Sequence, residues 1–246
     1  MLRFFYVIII SLPFILFYLG KAFYIEKHDD KYTETDRYVI AQRAVSLLQR
    51  NGFIHTNVFG AENLPNEGGY VMYANHQGKY DALGIISGHS KPCTVMIDDK
   101  RSHKLVTTQF ITLLKGIRLD KTDMKEQMKT IMKVVEQVKE GRRIIIFPEG
   151  GYYHNRNEVH DFLPGAFKCA IKSQSPIIPV ALIDSYKPFE LNSLKPVTTQ
   201  VHFLPPIHYE DYKDLTSKEI AELTRSKIVE VINEVRYKDS KINISN

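Results

Sequence analysis

Tryptophan is absent from the 246 residues, and cysteine occurs only twice. Cys93 and Cys169 are far apart in apolar surroundings. They form neither a metal-ligand spacing nor a disulfide framework. Read as buried, reduced thiols, they act as small apolar side chains and fit a reducing compartment. Low-complexity tracts and internal repeats are also missing, which excludes repeat architectures. Zinc spacings are lacking, and the basic residues are scattered, so no nucleic-acid module is indicated. The only dense run of metal-ligating residue types is "HDD" at 28–30, inside a polar stretch.

What is present describes a globular protein. Hydrophobic residues make up 43% and charged residues 25%, enough for a real core. The length suits one large domain or two small ones. The formal net charge of +5 favours an acidic partner, and without a nucleic-acid module that means an anionic membrane surface or phosphorylated substrates.

The N-terminus points to the membrane. Residues 4–20, "FFYVIIISLPFILFYLG", carry no charge, and after Lys21 the apolar pattern continues to Ile25. A spanning helix needs about 20 apolar residues. As one helix, Phe4 to Ile25 would be roughly 33 Å long at about 1.5 Å per residue, with Lys21 snorkelling and Pro13 tolerated as in membrane helices. No small-x-small site follows the run, against a cleaved signal peptide. Spanning and merely dipping into the bilayer both remain open.

Three segments are expected: an N-terminal membrane helix at 1–25, a linker and amphipathic helix at 26–52, and one folded domain at 53–240. Residues 26–37, "EKHDDKYTETDR", read as a polar linker. The next stretch has helical apolar spacing with Arg37, Arg43 and Arg50 at polar positions; packing on the domain and lying on anionic lipid both fit. From residue 53, strands are expected at 53–59, 69–74, 93–97, 117–119, 142–147, 177–183 and 199–204. Helices are expected at 82–88, 102–114, 123–139, 165–173 and 217–236. Gly141 stops the third of these, and "TSKE" at 216–219 caps the last. "RRIIIFP" and "PIIPVAL" are apolar on both faces, which suits strands covered by helices on both sides. The expected class is α/β: a single domain with a mixed, largely parallel sheet, behind the membrane-attaching helix.

Four segments fall at strand ends, where α/β folds bind ligands: "NHQGKYD" (75–81), "GIRLDK" (116–121), "FPEGG" (147–151) and "IIPVA" (177–181). In the first, His76 and Asp81 have the chemistry of a general base with a carboxylate partner. Two residues at that spacing are weak evidence by themselves.

The four segments in order resemble the glycerolipid acyltransferases that include 1-acylglycerol-3-phosphate acyltransferase. Asn75, His76 and Asp81 match that family's first block. Gly116, Leu119 and Asp120 match the second, with Lys121 in the place of an Arg. Phe147, Pro148, Glu149 and Gly150 match the third, whereas Gly151 and Tyr152 depart from it. Ile177 to Val180 match the fourth, and "GAENLP" at 60–65 resembles the approach to the first. The resemblance covers about residues 50–205.

It implies a membrane-bound O-acyltransferase. A fatty acyl chain would pass from acyl-CoA or acyl carrier protein to the sn-2 hydroxyl of lysophosphatidic acid (1-acylglycerol 3-phosphate), giving phosphatidic acid in phospholipid biosynthesis. His76 and Asp81 would be catalytic. Arg118, Lys121, Phe147, Pro148, Glu149 and Gly150 would bind substrate, with Arg156 a stand-in for the missing Arg of the third block. No metal or cofactor is implied beyond the thioester co-substrate. Membrane lipids would be partners, and the catalytic domain would lie on the cytoplasmic side. Glycerol 3-phosphate or another lysophospholipid is an alternative acceptor. A metal-dependent phosphoesterase or a lipid-binding protein without activity would be rivals of another class.

Overall fold

The computed structural model describes residues 2–244. Seven strands run in chain order: β1 (Ile54–Phe59), β2 (Tyr70–Ala74), β3 (Thr94–Asp98), β4 (Ile117–Leu119), β5 (Arg143–Ile146), β6 (Ile177–Ile183) and β7 (Val197–Phe203). They form one sheet in the order β1-β7-β6-β2-β5-β3-β4. Neighbours are parallel except β6 and β7, which are antiparallel. The sheet is therefore mixed and mostly parallel, as expected from strands apolar on both faces.

Helices α1 (Leu2–Ile10), α2 (Leu12–Lys27), α3 (Glu34–Asn51), α4 (Asp81–Gly88), α5 (Asp99–Ser102) and α6 (Leu105–Leu113) come before β4. Then follow α7 (Met124–Lys139), α8 (Lys168–Ser173), α9 (Lys187–Glu190), α10 (Tyr209–Tyr212) and α11 (Ser217–Ile244). The pleat divides them into two layers. On β2, Tyr70, Met72 and Ala74 face a cluster with Tyr38 and Ala41 of α3, Ile85 of α4 and Ile111 of α6. Val71 and Tyr73 face the other way, against Val134 of α7, Ala170 of α8 and Ile220 and Ile228 of α11. All five β2 side chains are buried, so the strand's continuous apolar run follows from the two layers. Both cysteines are buried and free, one in each layer, and burial pushes each thiol up to about 12.

The N-terminus differs from expectation. In place of one helix over residues 4–25, α1 and α2 meet at Ser11 with a bend of 72°. Among the described residues no single helix is long and apolar enough to cross a membrane; only the bent pair passes on length and composition together. The reason lies in Pro13, in the first turn of α2. Proline has no N–H for the carbonyl four residues back, and its ring clashes there. Ser11 is buried and its hydroxyl accepts from Asn51 of α3 at 2.9 Å, which ties the elbow to the domain. Arg3 is fully buried and donates to the carbonyls of Lys187, Pro188 and Lys195.

Residues 26–37, read as a polar linker, include helical turns. α2 continues to Lys27, a 3-10 turn covers Asp29–Lys31, and α3 starts at Glu34 behind a Thr33–Asp36 capping box. Asp29 pairs with Arg37 and Lys115, and Tyr32 packs on the core. Of the charges in this stretch, Asp29, Glu34, Asp36 and Arg37 are engaged in a cap or ion pairs.

Candidate active site

β2 leaves the core at Ala74 and α4 begins at Asp81, so "NHQGKY" is the crossover between them. Its first residue anchors it. The Asn75 amide donates to the Leu182 carbonyl at 3.0 Å and accepts from the Leu182 N–H at 2.7 Å, continuing the β2–β6 ladder by side chain. The Gln77 amide donates to the same carbonyl at 2.7 Å. Between these two buried residues His76 is turned outward.

His76 Nδ1 lies 2.6 Å from Asp81 Oδ2. A carboxylate used as an acceptor fixes the proton on Nδ1 and leaves Nε2 as the acceptor nitrogen. The Asp81 side chain is 1% exposed and that of His76 19%, so the dyad has a buried carboxylate and a ring that reaches solvent. Oδ2 of Asp81 also accepts from the N–H groups of Gln77 at 2.6 Å and Gly78 at 2.8 Å, and Oδ1 from the Ser185 hydroxyl at 2.6 Å. The His76 ring stacks on Phe147 with centroids 4.5 Å apart and meets Tyr152 edge-on at 5.2 Å.

The third block closes around the first. Glu149 is buried and accepts from the His76 backbone N–H at 2.8 Å. Burial pushes its carboxyl up to about 7, partly offset by that hydrogen bond. Gly150 adopts a left-handed φ of +74°, a conformation glycine reaches without strain. The Gly150 carbonyl accepts from Lys121 Nζ at 2.7 Å, and Lys121 also pairs with Asp98 at 3.2 Å. Pro148 is buried, its carbonyl accepting from Leu163 N–H at 2.9 Å.

Lys121 is thus brought to the third block, whereas Arg118 is not seen to touch it. The Arg118 guanidinium donates to the hydroxyls of Ser102 and Thr112 at 3.1 and 3.3 Å, toward α5 and α6. Arg118 lies within β4, whereas Lys121 lies in the turn beyond its end at Leu119, so the two cations part company. Arg156 is exposed, lies over the Tyr186 ring and is 4.0 Å from Glu190.

The sequence reading missed Gln77, Asn157, Asp184 and Ser185. Gln77 lies inside a quoted block, but nothing in its context marks it as a brace. Asn157 accepts from Gln77 Nε2 at 2.9 Å and from the Asp184 N–H at 2.8 Å, and donates to Asp184 Oδ1 at 3.0 Å. These contacts join positions 27 and 80 residues apart, which no local pattern reveals.

Comparisons with known proteins identify the family and the fold. A model of the Acyltransferase family matches residues 55–183. The chain is 28% identical over 190 residues to 1-acyl-sn-glycerol-3-phosphate acyltransferase alpha of Ovis aries, a match covering 74% of this chain and 64% of that one. With 1-acyl-sn-glycerol-3-phosphate acyltransferase of Escherichia coli it shares 31% over 179 residues, 70% of this chain and 72% of that one. Like the sheep match, the one with the Saccharomyces cerevisiae protein of that name covers less than two thirds of the relative, 62% at 28% identity. The crystal structure of the 1-acyl-sn-glycerophosphate (LPA) acyltransferase PlsC of Thermotoga maritima has the same fold: TM-score 0.75 at 19% identity, over 96% of this chain and 95% of that one. The family match covers more than half of the sequence and contains all four quoted blocks whole; the protein belongs to the Acyltransferase family.

Proposed function

We propose that the protein transfers a fatty acyl chain from a thioester of coenzyme A or acyl carrier protein to the sn-2 hydroxyl of 1-acylglycerol 3-phosphate, forming phosphatidic acid. The observation that carries this reading is the dyad: a half-open imidazole whose Nδ1 is held by a buried carboxylate. The acceptor is taken from the names of the relatives, and Lys121 at the rim of the third block supplies the cation a phosphate needs.

The chemistry follows from the geometry. Nε2 of His76 accepts the proton of the acceptor hydroxyl as its oxygen attacks the thioester carbon. Asp81 stabilises the imidazolium that forms. The tetrahedral intermediate then collapses, the carbon–sulfur bond breaks, and His76 returns its proton to the departing thiolate. The result is one new ester and one free thiol. Neither cysteine suits a covalent relay, being buried with a thiol pushed up to about 12. The Ser185 hydroxyl is occupied by Asp81. Direct attack is the economical route.

Attachment to a membrane belongs to the same proposal. Phe5, Ile9, Leu12, Phe14, Leu16 and Phe17 are exposed on α1 and α2, and burying such side chains in lipid contributes about 25 cal/mol per Å² of apolar surface. The bend favours lying in one leaflet over spanning two. Both substrates are amphiphiles, which makes a membrane-seated domain physically sensible.

Purified protein in detergent, offered acyl-CoA and acyl-carrier-protein donors against several lysophospholipids and glycerol 3-phosphate, tests the reading. Turnover is expected with 1-acylglycerol 3-phosphate. Turnover only with another acceptor replaces the substrate, and none with any pair rejects the activity.

A further inference from the structure

Asp81 makes more hydrogen bonds than a dyad requires. Two backbone N–H groups from its own crossover already hold Oδ2, next to His76. The far oxygen, Oδ1, is held by a residue 104 positions away, the Ser185 hydroxyl at 2.6 Å. Ser185 is 2% exposed and stands just past the end of β6.

The turn that delivers Ser185 is itself constrained. Asp184 has a φ of +60°, a conformation that carries strain for a residue with a Cβ and persists only when its surroundings enforce it. Asn157 supplies the enforcement. Its amide forms a reciprocal pair with Asp184, accepting from the backbone N–H and donating to the side chain. Lys187 Nζ adds an ion pair to the other Asp184 oxygen at 2.7 Å. Asn157 also accepts from Gln77, beside His76. A continuous chain of contacts thus runs from the loop after the third block, through Asn157 and Asp184, to Ser185, Asp81 and the His76 ring.

We propose that Ser185 is a positioning residue for the dyad, fixing the Asp81 carboxylate and through it the plane and tautomer of His76, and that Asn157 positions Ser185. This rests on the reading of His76 as the base. A carboxylate pinned at both oxygens cannot rotate about its Cβ–Cγ bond, so Oδ2 stays aimed at Nδ1 and Nε2 stays aimed at the open side. With Ser185 removed, Oδ1 loses its partner and the carboxylate is held on one edge only. Its charge is then less delocalised toward Ser185 and is felt more strongly by the imidazole.

Ser185→Ala is expected to lower kcat about 10-fold, the lower end for a hydrogen bond to a charged group because three others to Asp81 remain. The acceptor KM should stay within about 2-fold, since the hydroxyl touches no substrate. The acid limb of kcat/KM should move to higher pH, and the His76 ring signals in NMR should titrate at correspondingly higher pH. The titratable groups around that ring are Asp81, Glu149 and Tyr152, so the titration is read in both Ser185→Ala and Glu149→Gln backgrounds. Asn157→Ala, in a partly exposed loop, should show the same pattern more weakly, read per folded molecule. Ser185→Thr, which keeps a hydroxyl, should restore most of kcat. Wild-type kcat and an unmoved His76 titration in both alanine variants would overturn the proposal. If His76→Ala itself keeps full activity the base assignment fails, and the NMR titration alone still decides whether Ser185 governs the ring.

Discussion

Helix α4 meets a histidine at each end, and the two are treated oppositely. At its start, Asp81 faces His76, whose ring is 19% exposed and has one nitrogen open. At its end stands His89, 1% exposed and bonded through both nitrogens. Nδ1 of His89 donates to the Lys91 carbonyl at 2.7 Å, so Nε2 accepts from the Tyr70 hydroxyl, also at 2.7 Å. Burial drives His89 down to about 4 and keeps it neutral. One imidazole is held from a single side and left available; the other is satisfied on both sides and serves as a tether between sheet and helix. A histidine becomes reactive through what it is not bonded to.

The largest effect should come from the open ring. His76→Ala is expected to lower kcat 10²- to 10⁴-fold, or about 3–5 kcal/mol of barrier. Its melting temperature should move by no more than a few degrees, because the buried Asp81 carboxylate keeps its bonds from Gln77, Gly78 and Ser185. Near-normal kcat in a folded His76→Ala protein would remove the catalytic half of the contrast.

His89→Ala should do the reverse. It strands the Tyr70 hydroxyl, leaves the Lys91 carbonyl without its donor and opens a cavity. The loss of stability should be about 3 kcal/mol, read from urea unfolding, with kcat per folded molecule unchanged within about 2-fold. A fall in kcat beyond the folded fraction would mean that α4 transmits strain from one end to the other.

How far such differences could be read in the sequence depends on the range of the contacts. The central strands β2, β5 and β6 were legible because their residues are almost all apolar, and the layers that cover "YVMYA" follow from that. The four blocks were legible as local strings. The division of labour between His76 and His89 was not, since it depends on Tyr70 and Ser185, 19 and 104 residues from their partners. The bend at Ser11 was partly written in Pro13, but a proline in an apolar run fits both a tolerated kink and a broken helix. The buried Asn51 contact behind the elbow decides between them.

Acid–base titration of folding sharpens the comparison further. Above pH about 6.5 His89 is neutral folded or unfolded. As the pH falls from there toward 4, only the unfolded chain gains the proton, so stability is lost by up to about 3 kcal/mol. Glu149 slopes the other way. Between pH about 4.5 and 7 only the folded state keeps its proton, so stability falls as the pH rises, by a similar amount. The two slopes oppose each other over pH 4.5–6.5 and mask one another. Glu149→Gln should uncover the His89 slope, giving a protein that gains stability from pH 4.5 to 6.5. Parallel urea-midpoint profiles for wild type and Glu149→Gln would show that Glu149 does not carry a raised pKa.

The smallest effect is expected where the same distinction recurs between the two cations of β4 and the turn after it. Arg118 is bonded to hydroxyls of α5 and α6, whereas Lys121 is 42% exposed at the third-block carbonyl. Lys121→Ala should raise the KM of a phosphorylated acceptor about 10-fold and leave the donor KM unchanged. That is the weak end of the range for a charged hydrogen bond, because the ammonium is solvated and shared with Asp98. Arg118→Ala should leave both KM values alone and lower the melting temperature by a few degrees, since it strips two hydroxyls of their donor. The acceptor effect should shrink as salt is raised from low to physiological strength, as expected of an exposed point charge. An equal rise in both KM values would make Lys121 a brace for the Gly150 turn. An acceptor effect at Arg118 would put the phosphate on the opposite side of β4 from the one argued here.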